Sequence, residues 1–316
     1  MASDLRIVDG HVHLWDLSRA RYGWLQDDPL PNNPAGDMSP IANANYLLED
    51  YLTDTADWRV DKIVHVEAGQ PVGQQLAETD WLQSLADDSG YPHAIVAGAD
   101  MLDPDLDALL EAHAARPNVR GVRQIVCWHE DPLKTYTTRD LLRDPKWVEG
   151  FAKLARHGLS FDLQLYPAQM ANVAIIAARH PDIPMIVNHA GLPTDRDAAG
   201  MERWRTGLRL LAAQPQVSIK ISGLGITDRV WTPDSIRPVV WSASTPSEPS
   251  APCSPPTSRW RASTEPSTPS IPPSMRSRPT SRSTNATACS PPTPRRSTVS
   301  DPSAKAASRR RGPRNT

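Results

Sequence analysis

A parallel α/β barrel of the (β/α)8 type is the fold class that three observations predict. Short apolar strand-like runs alternate with amphipathic helical patterns along residues 1–240, the signature of a sheet assembled from strand–helix units. That stretch is close to the roughly 250 residues of a closed barrel. Ionisable and polar side chains also stand at the ends of several separate runs, where such a barrel gathers its site.

The elements follow in order. The first strand is expected at Leu5–Asp9, and a Pro- and Asn-rich excursion from Tyr22 to Asn45 reads as a long first loop, a common place for substrate contacts. The second strand, Lys62–Val66, leads to a helix over Thr79–Asp88. The third, Ala94–Gly98, leads to Pro104–Ala115, a helix with Leu106, Leu109, Leu110 and His113 on one face. Val119–Val126 and Leu159–Leu165 are the fourth and fifth strands, followed by helices over Lys146–His157 and Pro167–His180. Ile183–Asn188 with Asp197–Ala213, and then Val217–Ile221, supply the sixth and seventh strands. The eighth strand and the final helix of the barrel are missing.

The composition changes where that strand is due. From Trp241 to Thr316 there is no Leu, Phe, Tyr or His, and 15 of the chain's 32 prolines lie among Ser, Thr, Ala and Arg. Such a segment cannot bury enough apolar surface to offset its conformational entropy, so residues 241–316 are expected to be a disordered tail beside a barrel domain of residues 1–240. A shifted reading frame accounts for it. Joining the last base of each codon to the first two of the next, Val240 to Pro252 permits L-E-C-I-D-A-F-G-T-E-R-A, and Ala251 to Trp260 permits A-M-F-A-S-(D/N)-F-P-V. That string is a helix end, a Gly stop and a buried strand, and a stop codon is permitted soon after Ser300. The tail is therefore read as a frameshift product.

Charge divides at the same place. The tail carries 12 Lys and Arg against 3 Asp and Glu, and the body 22 against 33, so an overall −2 conceals an acidic body of −11. An acidic body argues against a nucleic-acid enzyme, and Arg, Pro and Ser are what GC-rich DNA yields out of frame; no nucleic-acid partner is expected. Cys127, Cys253 and Cys289 have neither disulfide nor zinc spacing. The opening MASDLRIVDG has no signal-peptide pattern and no run approaches a membrane span, so a cytoplasmic protein with a small-molecule substrate is expected. The oligomeric state is not legible.

His11 and His13 follow the first strand, and the strand period of two turns both imidazoles to one side. Two such imidazoles make half a divalent-metal site, although a His-x-His pair taken alone is as readily structural. His65 and Glu67, Arg123, Gln164, and Asn188 with His189 end other strands. Duller readings stand beside these: Arg123 as a structural ion-pair partner, His65 as a core histidine, Trp15, Trp24 and Trp81 as packing residues, and Lys220, which ends the seventh strand and could equally point into the pocket, as a surface residue.

Gly10-His11-Val12-His13-Leu14-Trp15-Asp16, Tyr22-Gly23-Trp24-Leu25, Glu78-Thr79-Asp80-Trp81-Leu82, Gly121-Val122-Arg123-Gln124, Trp128-His129 and Asn188-His189-Ala190-Gly191 together resemble the amidohydrolase-related family, in its branch of sugar-lactone and pyrone-dicarboxylate lactonase-like hydrolases. The resemblance covers Leu5 to Val240, and the shifted-frame string resembles the family's eighth-strand motif. It implies that His11, His13 and His189 bind one divalent metal, zinc or manganese, in metal-dependent members, while others work without a tightly bound ion. It further implies water attack on an ester-like carbonyl, with His189 and Arg123 catalytic and an acid at the end of strand eight as general base. Arg123 would pair with a substrate carboxylate or polarise the carbonyl, with His65, Gln124, Trp128 and Gln164 lining the pocket. Arg123 stands where a carbamate-forming lysine would be needed for two metals. The printed chain lacks the strand-eight acid, Asp301 and Glu248 being poorly placed to replace it, so poor folding or inactivity is expected. A decarboxylase on the same scaffold, and a non-enzymatic barrel with a nucleic-acid-binding tail, are the rival readings.

Overall fold

A computed structural model describes residues 5–245 and the backbone of Ala262–Thr264. Its parallel strands stand in sequence order: β1 (Arg6–Val12), β2 (Arg59–Val66), β3 (Ala94–Gly98), β4 (Val119–Ile125), β5 (Ser160–Gln164), β6 (Met185–Val187), β7 (Val217–Ile221) and β8 (Ala262–Thr264). Each strand pairs with the next, so every crossover returns beside its starting strand. This is the barrel that the alternation of runs predicts.

The eighth strand departs from expectation. Where none is expected, three residues pair with β7 in the register Ile219↔Ala262, Lys220↔Ser263 and Ile221↔Thr264. No ladder joins β8 to β1 among the described residues. Glu265 follows in the sequence but lies outside the described residues, as does the rest of the expected tail from 246 onward. Ordered structure also passes the expected join at residue 240. A helix over Pro233–Ser244 buries Val239 and Ala243 and tolerates Pro238 six positions inside it. Its start is fixed by Thr232, whose hydroxyl accepts from Ser235 N–H.

The other helices form where the pattern places them, with adjusted ends. Gln75–Ser89 begins four residues earlier than its apolar period suggests and stops at Gly90, which takes the left-handed conformation (φ 81°). The expected helix over 146–157 is broken into Pro145–Ala152 and Leu154–His157. Asp144 caps the first piece, accepting from Lys146 N–H at 2.9 Å, and Pro145 occupies the first turn, where no donor is lost. A helix over Leu48–Asp54 is additional.

Between the helix Pro145–Ala152 and β5 lies the aromatic centre of the core. Trp147 stacks on Phe151 at 5.7 Å, and Phe161 meets both rings edge-on. All three are fully buried. Gly150 lets this helix approach the Met101 carbonyl, which a β-carbon would overlap.

The excursion over residues 22–45 is pinned to the barrel by indoles. Trp15 pairs with Tyr46 as an antiparallel bridge and donates from its indole to Ala44 O at 2.7 Å. Trp24 donates to Ala68 O at 2.8 Å. Farther along, Asn32 donates to Leu133 O at 3.0 Å, tying the excursion to the loop after β4. Among the described residues no helix is long and apolar enough to cross a membrane.

One consequence is measurable. Gly150→Ala forces the helix off β3's following turn and costs about 1–3 kcal/mol, the usual range for overpacking. A chemical denaturation curve measures it, and an unchanged midpoint contradicts this packing.

Candidate active site

The histidines arrive from two strands. His11 lies in β1 and His13 just beyond it, and their Nε2 atoms are 3.2 Å apart. The two-residue period therefore does turn both rings to one side. His189 opens the turn after β6, its ring centroid 4.5 Å from that of His11. The backbone there is left-handed at three non-glycine residues, His189 (φ 54°), Ala190 (φ 53°) and Leu192 (φ 44°). Such strain persists only where surroundings over-determine it. Here Trp204 donates to Ala190 O at 2.8 Å, and Ser222 Oγ lies 3.1 Å from His189 Nδ1. Gly223 (φ 60°) follows, and a β-carbon on it would overlap the His189 ring.

Hydrogen bonds settle part of the protonation pattern. His13 Nδ1 lies 2.8 Å from Val66 O. A carbonyl only accepts, so Nδ1 carries the proton and Nε2 presents its lone pair. The contact between Nε2 atoms then requires His11 to donate, and His11 Nδ1 is left buried without a partner. All three rings are neutral near pH 7. Desolvation lowers the His13 pKa to about 4, with the Arg123 charge adding to it. Desolvation also holds His11 well below its ordinary range, followed by the neighbouring His189, and holds His189 low, followed by Arg123.

Two buried ion pairs flank the imidazoles. Arg123 on β4 donates from Nε to Glu67 Oε1 and from Nη2 to Glu67 O, both at 2.6 Å. Glu67 Oε2 accepts from Gly69 N–H at 2.6 Å. On another wall, Lys220 of β7 donates to Asp162 Oδ2 of β5 at 2.6 Å, and Asn188 donates to the same oxygen at 2.9 Å. Arg123, Lys220 and Asp162 are almost wholly shielded from water. Behind Glu67 lies Glu78, which accepts from Tyr22 Oη and Ala68 N–H, each at 3.2 Å. Desolvation, then the neighbouring Glu67 carboxylate, pushes its pKa up to about 8.

In donor chemistry the three imidazoles fit a divalent ion. They are uncharged, and His13 and His189 have their Nδ1 atoms held by other groups, the arrangement that orients a metal-ligating histidine. In arrangement they stop short: among the described residues no three His, Cys, Asp or Glu side chains gather as an ion would require.

The other expected site residues divide. Arg123 faces the lumen, but its partner is Glu67, the ion-pair reading, in place of a substrate carboxylate. Gln164 also lies on the lumen side and is buried. Gln124 does not line the pocket. It follows Arg123 on a strand and so points the opposite way, where it accepts from Trp147 Nε1 at 2.8 Å and donates to Asp100 at 2.9 Å. His65 is sealed from any ligand at 0 % exposure, and its Nδ1 accepts from Leu14 N–H at 3.2 Å, the core-histidine reading. Trp128 is half-buried at the start of the loop after β4, its N–H donated to Gln169 Oε1 at 3.2 Å. Asp162 and Ser222 were missed as site residues, Glu67 was noted only as a strand-end group, and Lys220 was left open between pocket and surface. The signal was available: in Ser218-Ile219-Lys220-Ile221-Ser222 the isoleucines claim the helix side of a strand buried on both faces, which turns Lys220 and Ser222 to the lumen.

Comparison with known proteins follows from this geometry. The profile of the family described as "Amidohydrolase" (Amidohydro_2) matches residues 8–244. An uncharacterized protein, y4mH, of Sinorhizobium fredii is 43% identical over 242 residues, covering 76% of this chain and 80% of that one. A protein of Burkholderia multivorans named L-fucono-1,5-lactonase is 29% identical over 233 residues, covering 71% of this chain and 70% of its own. The crystal structure of a zinc-bound amidohydrolase from Burkholderia multivorans superposes with a TM-score of 0.59 at 25% identity, covering 76% of this chain and 79% of that one.

Two outcomes test the site's geometry. Between about pH 4.5 and about 8 folded Glu78 holds a proton that the unfolded chain has lost, so its contribution to stability falls as pH rises. The buried histidines, whose folded pKa values are depressed, act oppositely and only below about pH 6.5. Glu78→Gln should therefore flatten the fall in melting temperature from about pH 6.5 to 8, and an unaltered slope counts against the assignment. Gly223→Ala should displace the His189 ring, visible as a shifted imidazole NMR signal with the fold retained.

Proposed function

Since the chain belongs to the amidohydrolase family, we propose that it opens a small lactone or related cyclic ester by attack of water at the barrel-mouth histidines. The observation that carries this reading is the convergence of uncharged His11, His13 and His189 at the C-terminal ends of β1 and β6. The relatives named for lactone opening support the substrate class.

Water oxygen bonds to the carbonyl carbon, the ring C–O bond breaks, and the alkoxide released takes a proton. An imidazole must receive the proton that the attacking water gives up. His189 is suited to this, because its Nδ1 partner is a hydroxyl that can donate or accept as the tautomer changes. Desolvation, and after it the Arg123 charge, keeps His13 and His189 uncharged. The composition from residue 241 onward supplies neither the long buried strand nor the acid expected at its end. Turnover by the printed chain is therefore weak.

Ring opening releases one proton per turnover, so a pH indicator follows it with sugar 1,5-lactones. We expect slow activity that His189→Asn lowers about 100-fold or more, the usual worth of a general base. No activity on any lactone, with zinc or manganese supplied, rejects the reading. DNA sequence from codon 238 to codon 301 tests the frame. A frame-restored chain that opens lactones no faster than the printed one rejects the account of its weakness.

A further inference from the structure

A lactone enters as a neutral ring and leaves as a hydroxy acid, so the charge of the site matters differently at the two ends of the reaction. Two cations lie beside the imidazoles, Arg123 and Lys220. Either one unneutralised would hold a carboxylate, because a charge-assisted bond in a water-poor site is strong. Neither is unneutralised. Arg123 spends Nε and Nη2 on Glu67, on side chain and backbone alike, and Lys220 meets Asp162. Glu67 is itself fixed by Gly69 N–H, so it cannot swing aside without losing a second bond.

We propose that Glu67, with Asp162 in the same role on the opposite wall, determines specificity: by occupying the cations it restricts the site to lactones without a carboxylate, and it frees the acid product. The proposal rests on the lactone reading above. It holds with or without an ion among the imidazoles, because it concerns the donors of Arg123 and Lys220. A carboxylate on the substrate would have to displace a carboxylate already aligned and desolvated, gaining little for what it loses in hydration. The product carboxylate faces the same competition and departs.

The test uses binding, so it does not depend on turnover. Two non-hydrolysable probes differ in one group: gluconolactam, and the same ring with its terminal CH2OH replaced by a carboxylate. Each is titrated calorimetrically into the full chain, after chelation and again with zinc. The unaltered chain should bind the uncharged ring at least about tenfold more tightly, and Glu67→Gln should close or reverse that gap by unmasking Arg123. Asp162→Asn should act in the same direction through Lys220, and serves if the first variant does not fold. A gap of the same size in a folded variant overturns the proposal and leaves the lactone reading standing. Equal binding of both rings by the unaltered chain also overturns it. Binding of neither ring by any chain removes the lactone reading and the proposal together.

Discussion

Arg123 and Glu67 meet 2.6 Å apart with almost no access to water. Ions so placed cost several kcal/mol each to desolvate, and only a close partner of opposite sign makes the position tolerable. That requirement organises the barrel mouth. Each lumen cation has its own carboxylate from a non-adjacent strand, Glu67 just past β2 for Arg123 on β4 and Asp162 on β5 for Lys220 on β7. The histidines answer the same requirement by giving up their protons, and Glu78 answers it by keeping one. A set of neutral imidazoles able to accept protons is thus a product of burial before it is a product of any particular ligand.

The left-handed turn after β6 shows how the scaffold serves this arrangement. His189 reaches His11 through a run of four left-handed residues, His189 to Leu192, held by fixed neighbours, among them Trp204 and Ser222. The zinc-bound amidohydrolase of Burkholderia multivorans shares this fold.

How much could be read in advance depended on which physical rule a residue obeyed. His11 and His13 were legible because a period of two fixes their side. The same rule should have excluded Gln124, which was taken with Arg123 as a motif when the strand sends the two in opposite directions. Lys220 was left between lumen and surface, although Ile219 and Ile221 had already claimed the outer face. The pairing of Arg123 with Glu67 was not legible. Both ends were noted, but the packing that brings β2 and β4 together across 56 residues is a tertiary fact. The helix over Pro233–Ser244 was missed because Pro238 and the Ser- and Ala-rich residues after it argue against helix. Burial of Val239 and Ala243 outweighs that local preference.

The indoles that pin the excursion give the protein an internal optical gauge. Trp15 and Trp24 lie edge to face, 5.7 Å apart, each with its N–H committed to a backbone carbonyl, one on the excursion and one on the barrel. Lifting the excursion breaks both bonds and separates the rings at once, passing them from a dry setting to a wet one. Their emission should then move to longer wavelength and lose whatever quenching the contact imposes. The excursion reports its own position in light that needs no added dye.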